Sequence, residues 1–174
     1  FDRLPYFPEP ARAVLDDADC VVLVGALAPI TYFGYEGHPS LLVPAERQLP
    51  LCAPGADAVE RLEALAEAFQ APAYQPPQLA LPELPEGALT PKKIAATLTR
   101  RLPAQAIVSV EGGTCGYPFY AASAGAARHT ALTNTGGAIG QGLPVAMGAA
   151  IACPDRRVVA LVSDGSTQYT IQTL

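Results

Sequence analysis

The sequence has few basic residues and no apolar run long enough to cross a bilayer. It contains 11 Lys and Arg against 16 Asp and Glu, for a formal net charge of −5. Proteins that bind nucleic acids carry a clustered basic face, so this balance argues against a nucleic-acid partner. Gly, Pro or charged residues interrupt the apolar stretches well before the ~20 residues of a membrane helix. No signal pattern opens the chain either, so we expect a cytoplasmic protein without a membrane segment.

The motifs of several common metal and cofactor sites are also missing. No Cys-x-x-Cys pair occurs, which argues against a zinc site. In a cytoplasmic protein, scattered cysteines argue against disulfides as well, so we expect buried free thiols. The cysteines are Cys20, Cys52, Cys115 and Cys153. No Gly-Lys-Ser/Thr step marks a Walker loop, and the glycines of 136–142 depart from the order of a nicotinamide-binding loop.

The patterns that are present alternate between strands and helices, which predicts an α/β fold with parallel sheets. Continuous apolar runs predict strands that are buried on both faces. Such a run lies at 20–25, and the mainly apolar segments at 106–110 and 157–162 are interpreted as strands as well. Amphipathic or small apolar segments predict helices at 11–19, 57–69, 91–102 and 143–152. In the second half, strand, helix and strand follow at the spacing of a right-handed parallel unit.

A proline-rich stretch divides the chain. Residues 71–91 hold six of the 18 prolines and can sustain neither a helix nor a central strand. We expect a semi-rigid, extended linker at 71–89. It separates a first predicted domain, at 1–70, from a second, at 90–174.

Three glycine-bearing loops, at 111–116, 135–142 and 163–166, mark the second predicted domain. In open α/β sheets, ligands bind outside the carboxyl ends of the strands, where such loops converge. The middle loop precedes a helix, whose amide-rich start favours an anion. Asp164-Gly165-Ser166 suits a magnesium ligand beside a diphosphate. The same Asp-Gly step also favours a hairpin that returns through 167–173, and on local pattern alone the hairpin ranks ahead.

Two longer segments resemble a known enzyme family. The segment TNTGGAIGQGLPVAMGAAIACPDRRVVALVSDGSTQYTIQTL, at 133–174, resembles the start of the diphosphate-binding domain of thiamine-diphosphate-dependent enzymes. The similarity is to the acetolactate synthase and benzoylformate decarboxylase superfamily. Residues 3–44 are similar to the end of the central domain of acetolactate synthase-like members. The resemblance implies the end of a Rossmann-like central domain, followed by the first half of a parallel-sheet thiamine-diphosphate-binding domain.

In the loop after the last predicted strand, the resemblance replaces the hairpin with a metal site. It implies that Asp164 is a magnesium ligand, that Gly165 and Ser166 face the diphosphate, and that a helix begins near Ser166. The family pattern is Gly-Asp-Gly-Ser, so Ser163 stands where a glycine is usual. A serine is tolerated there if its φ angle is negative.

The resemblance assigns further cofactor contacts in the other two loops. Gly137 would offer its carbonyl to the aminopyrimidine of thiamine diphosphate. Ile139 would support the central bend of the cofactor, because a β-branched residue in a glycine loop is costly unless something packs on it. Gly113 and Thr114 align with the turn that contacts the diphosphate.

The resemblance implies an enzyme that uses thiamine diphosphate and magnesium to decarboxylate a small 2-oxo acid and join the product to a second carbonyl. The bound cofactor supplies the electron sink. One alternative is a benzoylformate-type decarboxylase without ligation, and another is a truncated, non-catalytic cofactor-domain fragment. A third is an unrelated α/β binding module with a hairpin at 158–174. The sequence leaves open whether the protein binds flavin, and no residue supports a flavin site.

No catalytic side chain is assigned within the chain. In the family, the activating glutamate belongs to an amino-terminal domain of a partner subunit, and the second metal ligand is an asparagine further downstream. The chain begins at Phe1 without a methionine and ends at Leu174 inside an apolar pattern, so we expect a piece of a longer protein. We expect this piece to be inactive alone and the longer protein to be a homodimer or homotetramer.

Overall fold

The chain forms two compact units, Phe1–Gln75 and Pro76–Leu174. The computed structural model describes residues 4–75 and 79–174, so residues 76–78 of the predicted linker lie outside the described residues. Among the described residues, no helix is long and apolar enough to cross a membrane. The domain assignment made from the sequence stays a prediction.

The first unit contains a two-stranded parallel sheet and two α-helices. Helix α1 is Pro8–Asp16, strand β1 is Val21–Val24, strand β2 is Gln48–Cys52 and helix α2 is Ala58–Ala68. A 3₁₀ helix, Ala45–Arg47, precedes β2. Helix α2 begins where Asp57 predicts it, because the Asp57 carboxylate accepts the N–H groups of Val59 and Glu60, each at 3.0 Å.

The second unit contains a three-stranded parallel sheet and its connecting helices. Its α-helices are α3 Pro91–Arg101, α4 Gly113–Ala122, α5 Gly142–Ala152 and α6 Asp164–Thr167. Its strands are β3 Ile107–Val110, β4 Thr130–Thr133 and β5 Val158–Leu161. Two 3₁₀ helices, Ser123–Gly125 and Gln168–Thr173, follow α4 and α6. The strand order is β4-β3-β5, with both pairings parallel, which confirms the predicted α/β fold class.

Strand β3 lies at the centre of this sheet and is buried along its whole length. Val108 and Val110 belong to the apolar cluster that includes Phe119 of α4. Burying a side chain such as Phe119 stabilises the fold by about 1.5–3 kcal/mol. Successive strand residues face opposite sides, so Ser109 points the other way and donates its hydroxyl to the Gly142 carbonyl of α5 at 2.9 Å. The central strand therefore fixes helices on both faces.

Two elements of the second unit escaped the sequence analysis. The loop predicted at 111–116 is a loop only up to Gly112, since helix α4 begins at Gly113. Its sequence contains Gly116 and Pro118, which weaken helix propensity, yet an added Cβ at Gly116 would lie 2.9 Å from Val110 Cγ1. Close packing on the sheet thus outweighs propensity here. Strand β4 was missed because it is short and only half-buried.

The hairpin at 158–174 is wrong. Strand β5 ends at Leu161, and helix α6 with its 3₁₀ continuation occupies the residues of the proposed return strand. Ser163 is the N-cap residue of α6, and its carbonyl accepts the N–H of Thr167 at 2.9 Å and the Thr167 hydroxyl at 2.8 Å. These two hydrogen bonds form the first turn of a helix, which an Asp-Gly hairpin would not contain.

The expectation of buried thiols holds only in part. All the cysteines are free, but only Cys52 is buried. Cys20 is exposed, and Cys115 and Cys153 are intermediate.

Candidate cofactor-binding site

Three loops meet at one edge of the second sheet. Because β3, β4 and β5 are parallel, their carboxyl ends share that edge, and each strand leads into one of the glycine-bearing loops. The middle loop was expected only to precede a helix, but it also follows β4. The chain leads from β3 to β4 on one side of β3, whereas β5 lies on the other side of β3. Ligands of open α/β sheets bind at such a reversal of strand order.

The turn after β3 exposes backbone amides. Gly112 and Gly113 have φ angles of +102° and +64°, which favour glycine strongly over other residues. No side chain caps the start of α4. The first N–H groups of this ten-residue helix therefore remain available to an anion. Gly113 and Thr114 are both exposed there.

The loop after β5 carries a carboxylate without a protein partner. Asp164 is exposed and is the first residue of α6. No described residue forms a hydrogen bond or an ion pair with its carboxylate. Gly165 has open space around its Cα, where an added Cβ would meet nothing within 4 Å. Ser166 is only 9% exposed, and its hydroxyl lies 2.9 Å from that of Ser163.

The structure brings the β3 turn and the β5 loop together. A Cβ added at Gly113 would lie 3.6 Å from the Ser163 hydroxyl oxygen. Ser163 directly precedes Asp164, so the unpartnered carboxylate follows in sequence a residue whose side chain lies close to Gly113 at the start of α4. This pairing of free N–H groups with a free carboxylate suits a ligand that combines an anion with a divalent cation.

The glycine loop between β4 and α5 has an open tip and a fixed base. Gly136 and Gly137 have φ angles of +61° and +71°, and an added Cβ at either would meet nothing within 4 Å. Ile139 is 58% exposed at this tip. Gly140 is buried, because the Thr170 hydroxyl donates to its carbonyl at 2.8 Å and Tyr169 packs against it. The open tip leaves an apolar side chain beside two bare glycines.

The glycine loop adjoins the β5 loop through its base alone. A Cβ at Gly140 would lie 3.6 Å from the Ser166 carbonyl oxygen. Among the described residues, no hydrogen bond joins Gly137 or Ile139 to Asp164. The predicted contacts therefore fall into two groups, one around the β3 turn and the β5 loop and the other at the tip of the glycine loop. Their roles toward a cofactor stay predictions.

Sequence reasoning missed one acidic residue of this edge. Glu111 follows β3, is 6% exposed, and accepts the backbone N–H of Gly142 at 2.6 Å. Gly142 is the first residue of α5. The start of α5 was expected to favour an external anion, but the protein's own carboxylate already bonds there. An acid placed directly after a fully buried strand was the signal that could have revealed it.

The donor set fits thiamine diphosphate with one magnesium ion. Among the described residues, no group of three or more His, Cys, Asp or Glu side chains could hold a metal ion. Mg²⁺ needs no such group, since it often binds one or two carboxylates together with substrate phosphates and waters. Asp164 supplies one free carboxylate. The open space at Gly165, where an added Cβ would meet nothing within 4 Å, leaves room for a diphosphate to approach the backbone.

Sequence comparison finds thiamine-diphosphate-dependent enzymes among the proteins similar to this chain. Residues 113–174 match the C-terminal TPP binding domain of thiamine pyrophosphate enzymes. Over 174 residues, 99% of this chain is 46% identical to a Mycobacterium tuberculosis protein provisionally named acetolactate synthase large subunit IlvX. The chain is therefore similar to thiamine-diphosphate-dependent enzymes, and residues 113–174 match their cofactor-binding domain. It spans 34% of the length of that relative.

Two further proteins that are similar to this chain are decarboxylases. An alpha-keto-acid decarboxylase of Mycobacterium tuberculosis is 58% identical over 38 residues, which are 22% of this chain and 7% of that protein. The thiamine diphosphate-dependent 4-hydroxybenzoylformate decarboxylase of Rhodococcus jostii has a similar structure, with a TM-score of 0.69 at 25% identity. The match covers 98% of this chain and 35% of the Rhodococcus chain. Acetolactate synthase-like and decarboxylase homologues therefore both occur among its relatives.

Proposed function

We propose that this chain is part of an enzyme that binds thiamine diphosphate together with Mg²⁺ and decarboxylates a small 2-oxo acid. The observation that carries the proposal is that the Ser163 side chain lies close to Gly113, where an added Cβ would be 3.6 Å from the Ser163 hydroxyl oxygen. The unpartnered Asp164 therefore belongs to a loop that adjoins the uncapped start of α4. Bound thiamine diphosphate supplies the electron sink for loss of carbon dioxide.

The residues of this chain bind and orient rather than transfer protons. The first N–H groups of α4, at Gly113 and Thr114, hold the diphosphate, helped by the positive end of the helix dipole. Asp164 ligates the metal ion, and Gly165 leaves space for the diphosphate oxygens. Ser166 contributes through its backbone N–H, because its hydroxyl is engaged with Ser163.

The tip of the glycine loop orients the organic part of the cofactor. Gly137 has a free backbone in a left-handed conformation, and we assign its carbonyl to the aminopyrimidine. Ile139 offers an exposed apolar surface, which the cofactor covers when it binds. Covering such a side chain contributes about 1.5–3 kcal/mol when its burial is complete.

An acetolactate synthase-like ligation is the favoured outcome of the decarboxylation. The relative with that provisional name matches 99% of this chain at 46% identity, whereas the alpha-keto-acid decarboxylases match 22% of it. A simple decarboxylase of aromatic 2-oxo acids is the second candidate, favoured by the likeness to the Rhodococcus enzyme over 98% of the chain. Incubating the longer natural protein with a 2-oxo acid and identifying either an aldehyde or a ligated product would distinguish them.

The chain alone is expected to bind the cofactor without turning over substrate, as part of a cytoplasmic, homo-oligomeric enzyme. Isothermal titration of the 174-residue chain with thiamine diphosphate, in Mg²⁺ and again in a chelator, tests the binding. We expect saturable binding that needs the metal, and no comparable binding of thiamine, which lacks the diphosphate. Equal binding with and without metal, or none in either condition, would leave a non-catalytic fragment as the better description.

A further inference from the structure

Glu111 is a buried carboxylate that the proposed function does not use. It directly follows β3, is 6% exposed, and accepts the Gly142 N–H at 2.6 Å. That N–H belongs to the first residue of α5, where the unpaired amides of a helix attract negative charge. The carboxylate of Glu111 therefore acts as an internal anion at the start of α5.

The Gly142 peptide is held on its other side as well. Ser109 of β3 donates its hydroxyl to the Gly142 carbonyl at 2.9 Å, in a buried position. A side chain does not fit at this residue, since an added Cβ would lie 2.4 Å from Val162 Cγ1 and 2.9 Å from Glu111 Oε2. Two hydrogen bonds and close packing thus fix the start of α5 to the end of β3.

This arrangement links the two groups of predicted cofactor contacts. Glu111 immediately precedes the glycine turn at 112–113, and Gly142 immediately follows the loop at 136–141. We infer that Glu111 is a positioning residue that holds the glycine loop in register with the diphosphate turn. Its carboxyl group also occupies the start of α5, so that the uncapped start of α4 is left for the diphosphate. The cofactor's identity rests on the proposed function, whereas the link between the loops does not.

Hydrogen exchange of the 174-residue chain tests the link without any ligand. Replacing Glu111→Ala removes the acceptor of the Gly142 N–H, and we expect exchange at 136–142 to rise about tenfold or more. Exchange at 107–110 should change less than about twofold, because the apolar side of β3 is untouched. Glu111→Gln should restore part of the protection, since its amide oxygen can still accept the bond. Asp155→Asn, which removes an exposed acid before β5, is the matched control for charge.

Exchange that is unchanged at 136–142 in Glu111→Ala would overturn the positioning role. A uniform rise across β3, β4 and β5 would overturn it too, because it would indicate general loss of stability rather than release of one loop.

A pair of ligands tests the consequence for binding. Inorganic pyrophosphate with Mg²⁺ probes the diphosphate turn alone, whereas thiamine diphosphate reaches the glycine loop as well. In Glu111→Ala, we expect thiamine diphosphate to lose about tenfold in affinity relative to pyrophosphate. An unchanged ratio of the two affinities would contradict the inference. If the unsubstituted chain binds neither ligand, the proposed function fails, and hydrogen exchange still decides the role of Glu111.

Discussion

The hydroxyl oxygens of Ser163 and Ser166 lie 2.9 Å apart at the start of α6. Ser163 stands where the resembling family usually has glycine, yet its φ angle of −89° is one that any residue adopts. Its side chain therefore closes the first turn of α6 instead of distorting it. The loop that carries Asp164 therefore has an unstrained backbone at Ser163 and one hydrogen bond that a glycine at this position could not form.

Replacing Ser163→Gly is expected to lower stability and to spare cofactor binding. The lost hydroxyl contact and the added backbone freedom should cost about 1–2 kcal/mol in the free energy of unfolding, measured in urea. Affinity for thiamine diphosphate in Mg²⁺ should stay within about threefold, because glycine adopts the same backbone angles. Ser166→Ala, which removes the same hydrogen bond, is the control. A tenfold loss of affinity in Ser163→Gly alone would mean that the serine contacts the ligand.

Replacing Gly165→Ala is expected to spare stability and to weaken cofactor binding. An added methyl group meets nothing within 4 Å and the backbone angle is not strained, so stability should hold or rise slightly, by up to about 1 kcal/mol. The methyl group fills space that we assign to the diphosphate, so thiamine diphosphate affinity should fall about tenfold or more. Thermal unfolding and calorimetric titration measure the two effects. Unchanged affinity would show that the diphosphate does not approach this residue.

The two glycines of α5 should respond differently to alanine. Gly142→Ala sets a Cβ 2.4 Å from Val162 Cγ1 and should destabilise the chain by about 1–3 kcal/mol. Gly148→Ala meets nothing within 4 Å in the interior of the same helix and should stabilise it by about 0.5–1 kcal/mol. Urea unfolding of both variants gives the comparison. Equal effects would contradict the tight packing at the start of α5.

Removing the Ile139 side chain should affect binding without affecting the fold. Ile139 is 58% exposed, so Ile139→Ala should change the free energy of unfolding by less than about 0.5 kcal/mol. The loss of its contact with the cofactor should weaken thiamine diphosphate binding about fivefold to thirtyfold, while pyrophosphate binding stays constant. Ile151→Ala, at a residue 73% exposed near the end of α5, should change neither affinity. Equal weakening of both ligands in Ile139→Ala would argue against an apolar contact.

The sequence predicted the parallel α/β fold because mainly apolar strands at 106–110 and 157–162 alternate with helical segments at the spacing of a parallel unit. It failed at α4 and β4, where local composition and final structure disagree. Gly116 and Pro118 disfavour a helix locally, and only packing against Val110 makes Gly116 advantageous. Such a gain depends on a neighbour distant in sequence and leaves no local pattern.

The residues of the candidate site, like the elements of the fold, could be predicted from the sequence only in part. The position of Asp164 after a buried strand pointed to a metal ligand, but its competing hairpin could be dismissed only by a longer resemblance. Glu111 could have been singled out as an acid directly after a buried strand, but its partner could not, because that partner is the backbone N–H of Gly142, which every non-proline residue carries. Such a hydrogen bond forms only in the folded chain, and no residue type indicates it in the sequence.

The most direct test of the proposed function is the metal-dependent affinity of Asp164→Ala for thiamine diphosphate, compared with Asp155→Ala. Both variants lose one exposed carboxylate from the second unit, but Asp155 lies before β5, at the opposite end of the strand. We expect Asp164→Ala to lose the Mg²⁺-dependent binding by a factor of about 100 or more, while Asp155→Ala binds like the unsubstituted chain. Equal, metal-dependent affinity in both variants would contradict a magnesium site at Asp164.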